Sequence, residues 1–143
     1  MSGCSHFRFR ADLRLPAQAA ALASARRFTE SRLAQWHVPQ LTDSLNLLVT
    51  ELVTNAVVHG GTEAHLKLLF DSRRLRVEVR DGSSAEPRVQ RYSTTATTGR
   101  GMQIVDSLAD RWGTKREDVG KVVWLELDVD PRHAAGNPLV NFL

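Results

Sequence analysis

The chain carries a single cysteine, Cys4, in 143 residues. No internal disulfide can form, which fits a reducing compartment, and Cys4 itself reads as incidental. Aromatic residues make up only 6% of the chain, too few for a base-stacking platform. There is no helix-turn-helix or zinc-finger pattern either. The formal charge is +3, but the arginines are scattered along the whole length. That distribution describes a solvated basic surface, or attraction to an acidic protein partner, and direct nucleic-acid binding is not expected. No apolar run approaches the ~20 residues a membrane helix requires. The first six residues lack the apolar core of a secretory leader, and arginines begin at Arg8. A cytoplasmic protein with no membrane partner is the expectation. No internal repeat is present, and no linker divides the chain.

What is present is globular: 42% hydrophobic and 24% charged residues, in a length suited to one domain. Residues 6–13 alternate, with Phe7, Phe9, Ala11 and Leu13 on one face, which predicts a half-buried strand. After Pro16, residues 17–36 are rich in Ala, Leu and Arg with no breaker, so a long helix is expected, ended by Pro39. Thr42 or Asp43 is positioned to cap a second helix, and Gly60-Gly61 to stop it. Residues 64–71 and 75–81 alternate around a short connection and predict a hairpin. Residues 83–98 have little periodicity and read as a long loop, a length often used as a functional lid. Gly99-Arg100-Gly101 then opens a helix over residues 102–109, and residues 111–116 and 121–129 form a final hairpin. The result is an α+β two-layer sandwich, a mixed, mostly antiparallel sheet covered on one face by about three helices. Residues 1–130 form the domain and 131–143 a tail with an apolar end.

The second helix holds the most informative stretch. Glu51, Asn55 and His59 recur every four residues, which on an α-helix aligns them in one narrow strip. Beside that strip, Leu41, Leu45, Leu48, Val49, Leu52, Val53 and Ala56 form a wide apolar stripe. A polar strip at the edge of a buried helix needs partners. The amide oxygen of Asn55 suits a hard cation such as Mg²⁺, and Glu51, one turn away, suits a general base. Asp81-Gly82 at a strand end offers a carboxylate for the exocyclic amine of adenine and a glycine that lets a ring approach closely. Gly99 and Gly101 at a helix start leave backbone N–H groups for phosphates, with Arg100 as a forked donor. Each piece also has a plain structural reading. Asp-Gly is a common turn, Gly-x-Gly before a helix is weak alone, and His59 suits a helix C-terminus. Their order and spacing together are far more specific.

Taken together, these segments resemble the Bergerat-type ATP-binding fold of gyrase, the 90-kilodalton heat-shock chaperones, histidine kinases and mismatch-repair ATPases. The closest likeness is to the small single-domain anti-sigma-factor serine/threonine kinases. The likeness rests on Glu51-Leu52-Val53-Thr54-Asn55-Ala56-Val57-Val58-His59-Gly60, on Val77-Glu78-Val79-Arg80-Asp81, on Thr98-Gly99-Arg100-Gly101-Met102-Gln103-Ile104-Val105, and on Gly120-Lys121-Val122-Val123-Trp124. It covers roughly residues 5–129 and implies ATP and Mg²⁺ as cofactors. By that resemblance Glu51 is the general base, Asn55 the Mg²⁺ ligand, Asp81 with Gly82 the adenine contact, and Gly99 to Met102 the phosphate-side hinge. His59 matches the motif without a defined role. The implied partners are a sigma factor and a small anti-anti-sigma-type antagonist that would be phosphorylated, and the implied assembly is a homodimer. Two departures stand out. Ser83 and Ala85 replace the glycines of Asp-x-Gly-x-Gly, and Lys121 stands where threonine usually follows the closing glycine. They open the alternative of a nucleotide-gated binding module without kinase turnover. A sensor histidine kinase fragment is not expected, because His37 lies just before Pro39 at a helix end, with no phospho-accepting helical hairpin around it.

Overall fold

The computed structural model describes residues 7–82 and 97–129. The chain runs β1 (Phe9–Leu15), α1 (Ala21–Gln35), a 3-10 turn (Pro39–Leu41), α2 (Thr42–Val53), a π-helical turn (Thr54–His59), β2 (Ala64–Phe70), β3 (Arg74–Asp81), α3 (Thr97–Leu108), β4 (Arg111–Arg116) and β5 (Lys121–Asp128). The order is the one expected. The five strands form one sheet, ordered β1-β2-β3-β5-β4. Among the described residues every ladder is antiparallel, so the mostly antiparallel sheet expected is found and no parallel pair joins it there. Each sequential strand pair is joined by a hairpin or passes through the helix layer, and no parallel crossover is needed. The tail over residues 131–143 and most of the expected 83–98 loop fall outside the described residues.

The hydrophobic pattern sets the layers. Leu66, Leu68, Leu75, Val77 and Leu125 are fully buried on the face turned toward the helices, as are Leu45, Leu48, Val49, Leu52 and Val53 of α2. Full burial of each such side chain stabilises by about 1.5–3 kcal/mol. The entire stripe read from the sequence, from Leu41 to Ala56, is buried. Edge strand β1 is only half covered, and its Phe9 is exposed but packs near Trp36 and Phe70, with ring centroids 6.2 and 6.3 Å away.

Several element ends differ from expectation, and each has a local reason. α1 begins at Ala21, later than residue 17, because the stretch from Pro16 to Ala20 offers no capping side chain and forms tight turns, with Ala21 N–H donating to Gln18 O at 2.9 Å. It ends by a Schellman arrangement more than by Pro39. His37 adopts a left-handed φ of 63°, Val38 N–H donates to Leu33 O at 2.9 Å, and His37 N–H donates to Ala34 O at 3.1 Å. The expected Thr42 or Asp43 cap is absent. The 3-10 turn runs straight into α2 and supplies its first carbonyls, and no side chain caps the helix. Of the two glycines that stop the helix, Gly60 keeps helical φ and Gly61 makes the reversal at φ 67°.

The other sheet face bears an ionic lattice. Arg76 donates to Glu78 at 2.7 Å and to Glu126 at 2.8 Å while lying over the Trp124 ring at 4.5 Å. Arg111 bonds Glu126 at 2.9 Å and also reaches Asp128. Arg80 bridges to Glu117 with two contacts of 2.9 and 3.0 Å.

Candidate functional site

The strand registers align Leu15, Ala64, Asp81, Lys121 and Arg116 in one row across the end of the sheet. Asp81 is in phase with Leu75, Val77 and Val79, so its side chain turns toward the helices. Directly opposite, Lys121 is in phase with Val123 and Leu125. Cross-strand neighbours on one face approach closely, and here they form an ion pair. Lys121 Nζ lies 3.3 Å from both carboxylate oxygens of Asp81, with the two side chains 8% and 2% exposed.

The residue before Lys121 fixes this row. Gly120 has φ 84°, and a Cβ there would fall 1.8 Å from the Asp81 carbonyl oxygen and 2.7 Å from Gly82 Cα. Only glycine permits the start of β5 to lie this tightly on the end of β3.

Glu51, Asn55 and His59 belong to the helix layer. Glu51 lies in the last turn of α2, and after Val53 the chain widens into the π-helical turn, closed by Gly60 N–H donating to Asn55 O at 2.8 Å. The strip predicted from α-helical spacing therefore holds from Glu51 to Asn55 and swings at His59, because an i→i+5 turn needs more than four residues to come round. Such π-turns are rare and gather at functional sites. His59 is exposed at the end of the turn. Burial raises the Glu51 carboxyl above its ordinary range, and the nearby His59 partly offsets this. Asn55 is half buried, and its amide Nδ2 donates to the Met102 sulfur at 3.2 Å. Met102 itself is 1% exposed, locked between α2 and α3.

One residue ties the helix layer to the sheet end. Thr62 N–H donates to Ala56 O in the π-turn at 3.3 Å, and Thr62 Oγ1 accepts from Gly82 N–H at 3.3 Å. A cleft of about 310 Å³ opens here, lined in part by Thr62, Arg80, Asp81, Gly82 and Val119. Its size lies at the low end for small-molecule sites, which run from ~300 Å³ upward. Glu51 and Asn55 are not among its described walls, and Asn55 meets Met102 of α3 instead.

Gly99, Arg100 and Gly101 do not precede a helix, as expected; they lie within the first turns of α3, which starts at Thr97. The free N–H groups of that helix start accordingly belong to residues 97–100. The Arg100 side chain is outside what is described, as are Ser83 and Ala85. One residue of the site, Thr62, escaped the sequence reading, since it carries no motif signal. Gly120 was legible as a turn and as the closing glycine, not as the close contact of Asp81, and Lys121 only as a departure, not as the partner of Asp81.

Among solved structures, the histidine kinase domain of the Erythrobacter litoralis EL346 blue-light activated histidine kinase superposes with a TM-score of 0.51 at 18% identity, covering 85% of this chain. This chain spans 65% of the length of that domain. No curated protein matches in sequence. The fold is therefore that of a histidine kinase domain, a two-layer sandwich with its helices on one face. The profile of the histidine kinase-like ATPase domain matches residues 15–127, and the chain belongs to that family. Membership makes ATP the expected nucleotide. Among the described residues no helix is long and apolar enough to cross a membrane.

Proposed function

We propose that this chain is an ATP-binding regulatory protein that acts as an anti-sigma-type protein serine/threonine kinase, transferring a phosphoryl group to a small antagonist protein. The observation that carries the reading is the pairing of a half-buried Glu51, its carboxyl held above the ordinary range, with Asn55 one turn on, its amide anchored on Met102. A carboxylate pushed up by burial is a better proton acceptor near neutral pH. Glu51 takes the proton of the acceptor hydroxyl. Asp81 holds the adenine amine, Gly82 lets the base approach, and Gly99 to Met102 with Arg100 line the phosphates. His59 modulates Glu51 through its charge. Phosphoryl transfer is mostly positioning and electrostatics, so few residues suffice.

The residues fit a magnesium ion. The amide donor of Asn55 is engaged by Met102, which leaves its oxygen as the atom on offer. No cluster of three acidic, histidine or cysteine side chains exists among the described residues. An ion completed by phosphate oxygens and water is the habit of Mg²⁺. When bound, it neutralises charge on the transferring group.

The partners proposed are a sigma factor and an anti-anti-sigma-type antagonist, with a homodimer as the assembly; the resemblance around residues 51–60 supports them. The buried Lys121–Asp81 pair favours a second reading, a nucleotide-gated binding module without turnover. Calorimetry of ATP binding with and without Mg²⁺ tests the site. Asp81→Ala is expected to abolish binding and Asn55→Ala to abolish only its Mg²⁺ dependence. Glu51→Ala is expected to stop transfer from γ-labelled ATP while leaving ATP bound, and undiminished transfer would sink the kinase reading. A folded wild type that binds no ATP would remove both readings.

A further inference from the structure

We propose that Lys121 is a specificity-determining residue that contacts the nucleobase, so that the Asp81–Lys121 pair accepts a 6-oxopurine nucleotide as well as a 6-aminopurine one. The inference rests on the nucleotide-binding reading of this site. A lone carboxylate offers only acceptors. It bonds the 6-amine of adenine, and it opposes the 6-oxygen of hypoxanthine or guanine lone pair to lone pair.

In this chain the carboxylate does not stand alone. Lys121 Nζ sits 3.3 Å from each Asp81 oxygen. An ammonium has three N–H donors, and the two carboxylate oxygens engage two of them, leaving one for a ligand. Acceptor and donor thus stand side by side at the end of the sheet, where Asp81, with Gly82 and Thr62, lines the cleft and Lys121 is held against Asp81 across the strands.

Both purine edges match that pair with roles exchanged. A 6-aminopurine donates its amine to Asp81 and accepts at N1 from Lys121. A 6-oxopurine donates its N1–H to Asp81 and accepts at O6 from Lys121. The pair is not free to drift apart. It is a directly opposed cross-strand pair, Gly120 clamps the two strand ends together, and burial penalises either partner left alone.

The test compares ADP with IDP (inosine diphosphate), which differ only at the 6-position and N1, by calorimetry on the wild type and on Lys121→Thr. The wild type is expected to bind IDP within ~10-fold of ADP. Lys121→Thr is expected to weaken ADP modestly and to widen the gap against IDP by about 100-fold, as loss of a charge-assisted hydrogen bond allows. A wild type that binds ADP but rejects IDP overturns the proposal and leaves nucleotide binding standing. An IDP-to-ADP ratio untouched by Lys121→Thr overturns the role of Lys121. Binding of neither nucleotide overturns the proposal together with the nucleotide reading beneath it. If Lys121→Thr loses cooperative thermal unfolding, the wild-type ratio and Lys121→Gln, which keeps a neutral donor, decide the matter. Lys121→Gln is expected to retain part of the IDP affinity, and full discrimination against IDP by the wild type remains fatal.

Discussion

Replacing Gly120 by alanine separates two costs that usually come together. The first is conformational: an L-residue at positive φ loses about 1–2 kcal/mol. Gly61 pays the same cost at φ 67°, and a Cβ there meets nothing within 4 Å. Gly61→Ala is therefore expected to destabilise by that amount alone. At Gly120, with φ 84°, the new methyl falls 1.8 Å from the Asp81 carbonyl oxygen, a backbone atom that cannot rotate away. Real Cβ contacts essentially never fall under 3.0 Å, so the ends of β3 and β5 have to part by more than an ångström. Asp81 and Lys121 are the terminal rung of that ladder, so the last hydrogen bonds open, each worth about 1 kcal/mol net. The buried ion pair loosens with them. Gly120→Ala is expected to cost about 3–5 kcal/mol, twice or more the effect of Gly61→Ala. Urea denaturation of both variants measures the difference, and ATP affinity of the folded fraction reports on Asp81. Equal destabilisation by the two substitutions refutes the close-approach argument.

Three further outcomes follow from the same geometry. Glu51→Gln is expected to stop phosphoryl transfer and yet raise the melting temperature at neutral pH. Burial lifts the Glu51 carboxyl, so between the ordinary carboxylate range and its raised value the folded chain holds the extra proton and stability falls as pH rises; the gain from Gln should vanish in acid, and a melting temperature lowered at pH 7 would contradict it. Met102→Ala is expected to cost about 2–5 kcal/mol through its cavity, whereas Met102→Leu keeps the volume for under about 1.5 kcal/mol but frees the Asn55 amide, so that Mg²⁺-dependent ATP affinity drops in calorimetry with little change in melting. Arg76→Met takes one charged hydrogen-bond donor from each of Glu78 and Glu126, whose side chains are 11% and 9% exposed, and is expected to cost about 1.5–3 kcal/mol in urea at neutral pH. Burial alone would raise Glu126, but hydrogen bonds from Arg111 and Arg76 hold it below the ordinary carboxylate range. That contribution is full above the ordinary range and disappears as acid protonates Glu126, so the cost of the variant should shrink at low pH.

Much of this architecture was written in periodicity. The stripe from Leu41 to Ala56 announced a buried helix, and period-two alternation announced the strands whose inward residues are now buried. What escaped depends on pairings between distant residues or on small backbone choices. Alternation told which face Arg76 occupies, but only register brings it to Glu126, fifty positions away. The same holds for Asp81 and Lys121, forty apart. His37 gave no hint of a left-handed φ, because the terminator expected there was the nearby Pro39. Thr62 belongs to no motif, yet its backbone and hydroxyl join the π-turn to Gly82. The π-turn itself left no mark, since its sequence is compatible with a plain helix.

That turn makes chain length, as much as residue identity, a determinant of the site. It holds one residue more per closed ring than the α-helix before it. Deleting a single position among Ala56, Val57 and Val58 would let the segment relax to α-helix and shift the carbonyls that face Thr62. Thr62 would then miss the carbonyl it now grips, and the sheet end would part from the helix that carries Glu51. Substitutions of similar size at Val57 or Val58 preserve the count and leave that gearing intact. Drift in this stretch is thus confined to exchange of side chains, and a homologous chain one residue shorter here would have to solve the placement of the corresponding helix in a different way.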